Sequence, residues 1–170
     1  MSTPAQRPIE VFRVNPAAFW VTIMAAPLLQ AFLPLKLPLA RHFDFPLLAT
    51  IYFALVRRNK VFGTVLGTVL GLSQDALSHG FIGIFGITKA VVGYLAAAAS
   101  IKFNLEQSVA RLTLAGMFIL VHDLLLQGLE HGLLESVPAF EPLDLVIGVL
   151  VNTALGLVAF QLLDRFKQPS

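Results

Sequence analysis

The stretch Gly63–Leu95, GTVLGTVLGLSQDALSHGFIGIFGITKAVVGYL, carries one aspartate and one lysine in a mostly apolar run punctuated by glycine. Its meaning depends on the solvent that surrounds it. The whole chain has 170 residues, of which 56% are hydrophobic and only 13% charged, with a positive mean hydropathy. That balance lies far from a soluble domain and places the chain in a membrane. The formal charge is +2, and the basic residues are not gathered with interleaved aromatics, which argues against nucleic acid as a partner. There is no cysteine, so disulfides, thiolate metal sites and cysteine nucleophiles are excluded.

A helix needs about 20 apolar residues to cross a bilayer core. Six segments qualify or come close: Ala17–Leu35, Phe45–Val56, Val61–Ser78, Phe81–Ile101, Leu112–Leu129 and Leu143–Leu163. The first follows Arg7 and Arg13 like a secretory signal, but it is longer than a signal core and lacks a small-x-small cleavage site, so it reads as a retained span. The second is too short to cross upright and must borrow flanking residues, dip partway, or sit where the bilayer thins. Within the quoted stretch, Ser78-His79-Gly80 supplies turn chemistry for a tight hairpin between the third and fourth spans.

Basic residues disfavour translocation. With the amino terminus inside, the cytoplasmic segments collect Arg7, Arg13, Arg57, Arg58, Lys60, Lys102, Arg111, Arg165 and Lys167, whereas the outer loops hold only Lys36 and Arg41. The last outer loop carries Glu130, Glu135, Glu141 and Asp144 with no basic residue. Dropping the short second segment would place Arg57-Arg58-Asn59-Lys60 outside. The expected fold is therefore all-α: a polytopic membrane bundle of six spans with both termini cytoplasmic. Its parts are a short tail over 1–16, one membrane domain over 17–163, and a second short tail over 164–170.

Gly63, Gly67, Gly71 and Asp75 recur every fourth residue and form one stripe on the third span. In lipid such a stripe lets two backbones approach closely. With Gly83 and Gly93, these glycines are expected to pack helices within the bundle, or else to meet another protein. An unpaired charge at the bilayer centre costs at least ~2.5 kcal/mol, so Asp75 and Lys89 need partners. A tight hairpin brings them near one another, which predicts an Asp75–Lys89 ion pair. Gln30 in the first span and His122, Asp123 and Gln127 in the fifth are expected to form a polar network in the outer half, with the inner half offering little beyond Asn152. Interhelical hydrogen bonding is its expected role, because a proton relay would have to reach both sides.

His79, His131 and the outer acids match no compact metal-ligand set. No catalytic constellation, nucleotide loop or cofactor motif stands out, and no catalytic, cofactor or metal residue is assigned.

The run Gly71–Leu95 resembles the signature region of the rod shape-determining MreD family. The resemblance rests on Gly71, Asp75, Ser78, Gly80, Gly83, Gly93 and Tyr94, while His79 and Phe81 stand where that family often has a small residue and a proline. It implies a non-enzymatic, multi-pass component of the bacterial inner membrane that supports cell shape and lateral peptidoglycan synthesis. The implied partner is MreC, and through it RodA, the elongation penicillin-binding protein and MreB. The family is similar in architecture to the substrate-binding subunits of energy-coupling-factor vitamin transporters, which supplies the alternative of a substrate-capture subunit. Ala18, Thr22 and Ala26 form a small-residue stripe on the first span but lack the alanine-xxx-alanine pattern of such subunits.

Overall fold

A computed structural model describes residues 13–78, 81–103, 108–134 and 141–168. His79, Gly80 and Glu135 lie outside them. The described residues form six α-helices: α1 Pro16–Phe32, α2 Phe45–Arg57, α3 Lys60–Ser78, α4 Ile84–Lys102, α5 Ser108–Leu133 and α6 Pro142–Asp164. Short 3-10 turns at Leu33–Leu35 and Pro38–His42 join α1 to α2, and a two-residue antiparallel pairing of Arg13–Val14 with Lys167–Gln168 ties the two chain ends together. Among the described residues, four stretches are long and apolar enough to cross a membrane: Pro16–Leu35, Ile84–Lys102, Val109–Leu133 and Pro142–Asp164. The chain is built as a multi-pass membrane protein.

Local chemistry explains the boundaries. Asn15 caps α1 by accepting from the Ala17 N–H at 2.8 Å, with Pro16 in the first turn, where its missing N–H costs nothing. The Asp44 side chain caps α2 through the Leu47 N–H at 2.8 Å, and Asn59 accepts from the Phe62 N–H at 3.0 Å at the start of α3. Arg58, at φ 53°, ends α2 in a left-handed conformation. Its guanidinium then reaches the Ser100 carbonyl at 2.7 Å and so satisfies the open end of α4. The fifth helix runs four residues beyond its expected apolar core at each end, because its polar flanks continue the same turn.

The short second helix is the centre of the bundle. Every residue from Pro46 to Val56 is buried, and α2 packs against all five other helices. Thirteen residues give a helix of about 20 Å, shorter than the roughly 30 Å hydrocarbon layer. The difference is taken up by the 3-10 turns and the Asp44 cap. The turns pack on α1 and α6, and their inner end, Ala40 and Asp44, is buried, where surrounding protein makes irregular backbone tolerable.

The third and fourth helices form the closest pair. A β-carbon on Gly63 would collide with the Gly93 carbonyl, one on Gly67 with the Lys89 carbonyl, and one on Gly71 with the Phe85 carbonyl. These glycines serve an internal contact. Gly83 differs from the packing role expected of it: it precedes α4 at φ +112° with nothing within 4 Å of a β-carbon, so its contribution is conformational.

Gly67→Ala should lower stability by about 1–3 kcal/mol, because the added methyl presses on backbone that cannot rotate away. Gly128→Ala, at an open position on α5, should be neutral or stabilising by up to ~1 kcal/mol. Thermal unfolding of both variants in one detergent checks this, and equal effects would contradict the close α3–α4 contact.

Candidate functional site

The polar residues expected in the outer half converge on the amino-terminal end of α2. Asp44, at the junction of the second 3-10 turn and α2, accepts from Leu47 through Oδ1 and from Lys89 Nζ through Oδ2, the latter at 2.7 Å. Lys89, on α4, is fully buried. A second proton of its ammonium faces His122 Nε2 of α5 at 3.2 Å, and the nitrogen lies 4.7 Å from the centre of the Phe85 ring. His122 stacks on Phe85 and contacts Asp123 Oδ1 through Nδ1 at 2.9 Å. On α6, Asn152 accepts from the Asp44 N–H at 2.8 Å and donates to the His42 carbonyl at 2.7 Å, holding the turn in place. Gln30 of α1 accepts from the Phe45 N–H at 3.1 Å. Five helices thus contribute to one cluster.

This arrangement corrects the expected Asp75–Lys89 pair. Asp75, also buried, instead accepts from the backbone N–H groups of Gly83, Phe85 and Gly86 at 2.9, 3.1 and 3.1 Å. Those groups open α4, where unsatisfied donors and the helix dipole favour an anion. Asp75 is therefore a cap supplied from across the hairpin, leaving Lys89 free to turn to Asp44. The backbone amides compete successfully because they sit at the turn itself, whereas Lys89 lies further along α4, opposite Gly67.

Gln30, His122 and Asp123 join one network as anticipated. Gln127 does not share it among the described residues: its backbone carbonyl accepts from the exposed His131 Nδ1 at 2.9 Å. Sequence reasoning missed Asp44 entirely and placed Asn152 apart. The signal was present, since Asp-Phe-Pro at 44–46 is an N-cap followed by a proline in the first turn.

A second polar cluster lies at the other end of α2. Asp164, closing α6, is gripped by Arg111 of α5, accepts from Tyr52 Oη of α2 at 3.0 Å, and meets Lys167 at 2.7 Å. The two clusters clamp α2 at Asp44 and at Tyr52, eight residues or about 12 Å apart along the helix.

Chemically, the outer cluster is a closed circuit. Lys89 directs its ammonium toward a carboxylate, an imidazole nitrogen and an aromatic face, which occupies its three protons. The arrangement holds helices together. No family model, curated protein or solved structure matches the chain.

Lys89→Met should cost about 3–5 kcal/mol, since it strands a buried carboxylate. Asp44→Asn keeps the helix cap, so adding it to Lys89→Met should restore at least ~1 kcal/mol relative to the sum of the single effects. The Asp75→Asn and Lys89→Met pair should be additive within about 0.5 kcal/mol. Chemical unfolding of the two double-mutant cycles makes the comparison, and stronger coupling at 75/89 than at 44/89 would reverse the assignment.

Proposed function

We propose that the chain is a non-enzymatic membrane scaffold of the MreD type, a six-span bundle of the bacterial inner membrane with both termini in the cytoplasm. The observation that carries this reading is the saturation of three interior charges: Asp44, Lys89 and Asp75 are each consumed by contacts that fix one helix to another. A reaction centre needs a group held ready for substrate, whereas these groups are spent on architecture. The glycine-lined α3–α4 hairpin coincides with the Gly71–Leu95 run that resembles the family signature, which links the packing to the resemblance.

The six-span topology is supported by charge placement. Arg57 lies over the Phe19 and Phe62 rings and Lys60 over Tyr94, while Arg111 and Lys167 flank Asp164, all near one end of the bundle. That end is the cytoplasmic one by the distribution of lysine and arginine. The scaffold would bind MreC and, through it, RodA, the elongation penicillin-binding protein and MreB. One observation favours substrate capture in an energy-coupling-factor transporter instead: the Gln74 side-chain oxygen, Oε1, is buried without a hydrogen-bond partner among the described residues.

Co-expression with tagged MreC, followed by detergent extraction and native mass spectrometry, tests the proposal. A complex of the two proteins that survives purification is expected. A chain that ignores MreC and carries a bound small molecule, lost in Gln74→Leu, would overturn the scaffold in favour of capture.

A further inference from the structure

Beyond the Asp164 clamp, three more carboxylates lie in the bundle, and they are compensated unequally. Asp75 sits on the opening N–H groups of α4. Asp44 has both the start of α2 and the Lys89 ammonium. Asp123, among the described residues, has His122 alone.

The direction of the hydrogen bonds settles what His122 offers. An ammonium carries only donors, so His122 Nε2, 3.2 Å from Lys89 Nζ, must present its lone pair. The ring proton then resides on Nδ1 and is donated to Asp123 Oδ1. The imidazole is neutral in this arrangement. Asp123 consequently receives a hydrogen bond but has no cation in contact: the Lys89 ammonium acts on it only from across the imidazole while pairing directly with Asp44, and no helix N-terminus caps it.

Its second oxygen lies toward α6. The Asp123 side chain is 22% exposed, and the nearest atom to a β-carbon built on Gly148 of α6 is Asp123 Oδ2, at 3.7 Å. Beside Asp123 on α5, Leu120 and Leu124 are exposed apolar side chains, a surface suited to lipid. Asp123 lies six residues inside the Leu129 end of its apolar segment, about 9 Å along the helix, a depth at which a spanning helix places its own side chains directly.

We propose that Asp123 is an intramembrane docking point for a second membrane-spanning helix that carries an arginine or lysine at the same depth and seats over Gly148 between α5 and α6. Charge complementarity selects this occupant: a carboxylate inside the hydrocarbon layer needs a partner, a span delivers a cation to that depth, and a glycine lets its backbone come close. Oδ1 can stay on His122 while the incoming cation takes Oδ2, so docking leaves the Lys89 cluster intact. The inference stands on this geometry and not on the scaffold reading.

The test uses the full chain, fluorescently labelled in phosphatidylcholine vesicles, and two synthetic leucine-alanine spans that differ only in a central arginine or leucine. Energy transfer is followed against the peptide-to-lipid ratio. The arginine span should associate roughly 3- to 10-fold more strongly than its leucine twin. The preference should persist in Asp123→Glu and vanish in Asp123→Leu. It should also vanish in Gly148→Leu, which covers the glycine while leaving the acid in place and decides the matter alone if Asp123→Leu does not fold. Equal association of the two spans with the wild-type chain would overturn the proposal, as would a preference that survives in Gly148→Leu. Self-association lost in Asp123→Leu, without any arginine preference, would overturn it in favour of a second copy of the chain.

Discussion

The fold depends on a helix that begins inside the protein. The second helix cannot span a bilayer by itself, and its first N–H groups would face hydrocarbon if nothing met them. Asp44 meets them, and the Lys89 ammonium meets Asp44. Once the acid and the base are joined, the short helix can be the axis around which the longer ones pack. The same ion pair draws α4 against α2, brings His122 of α5 into contact with Lys89, and sets the depth at which Asn152 of α6 grips the preceding turn. An apolar core alone could not specify this depth, since leucine against lipid and leucine against leucine differ little in solvation.

The glycine hairpin makes that arrangement possible. Gly63, Gly67 and Gly71 let α3 lie directly on the α4 backbone, and such contact gives dispersion attraction where the hydrophobic effect is absent. Asp75 closes the hairpin by capping α4 from the neighbouring helix. With that acid engaged by backbone, Lys89 is presented to Asp44. The stripe and the ion pair are therefore parts of one construction, and the inner clamp of Asp164 with Tyr52 and Arg111 completes it at the other end of α2.

Much of this was legible in the residues. Apolar segment lengths located the helices to within a turn or so, and the four-residue glycine spacing announced a close helix contact. The need to neutralise Asp75 and Lys89 was also correctly posed. The partners were misread for two physical reasons. A carboxylate at a turn can be satisfied by unpaired N–H groups as readily as by a cation, so proximity across a hairpin does not select the ion pair. Asp44, in turn, sits in a segment whose sequence resembles an outer loop, and nothing local reveals that the 3-10 turns carry it inward. The Tyr52–Asp164 contact joins residues 112 apart in sequence, a distance over which pattern gives no guidance.

The central claim is that Lys89 is neutralised by Asp44. Solid-state NMR of the chain in lipid, with 15N-labelled lysine and 13C-labelled aspartate, measures it most directly through dipolar recoupling between the Lys89 ammonium nitrogen and a carboxyl carbon. The account predicts a strong recoupling that disappears in Asp44→Asn and persists in Asp75→Asn. Recoupling that persists in Asp44→Asn and disappears in Asp75→Asn would contradict it.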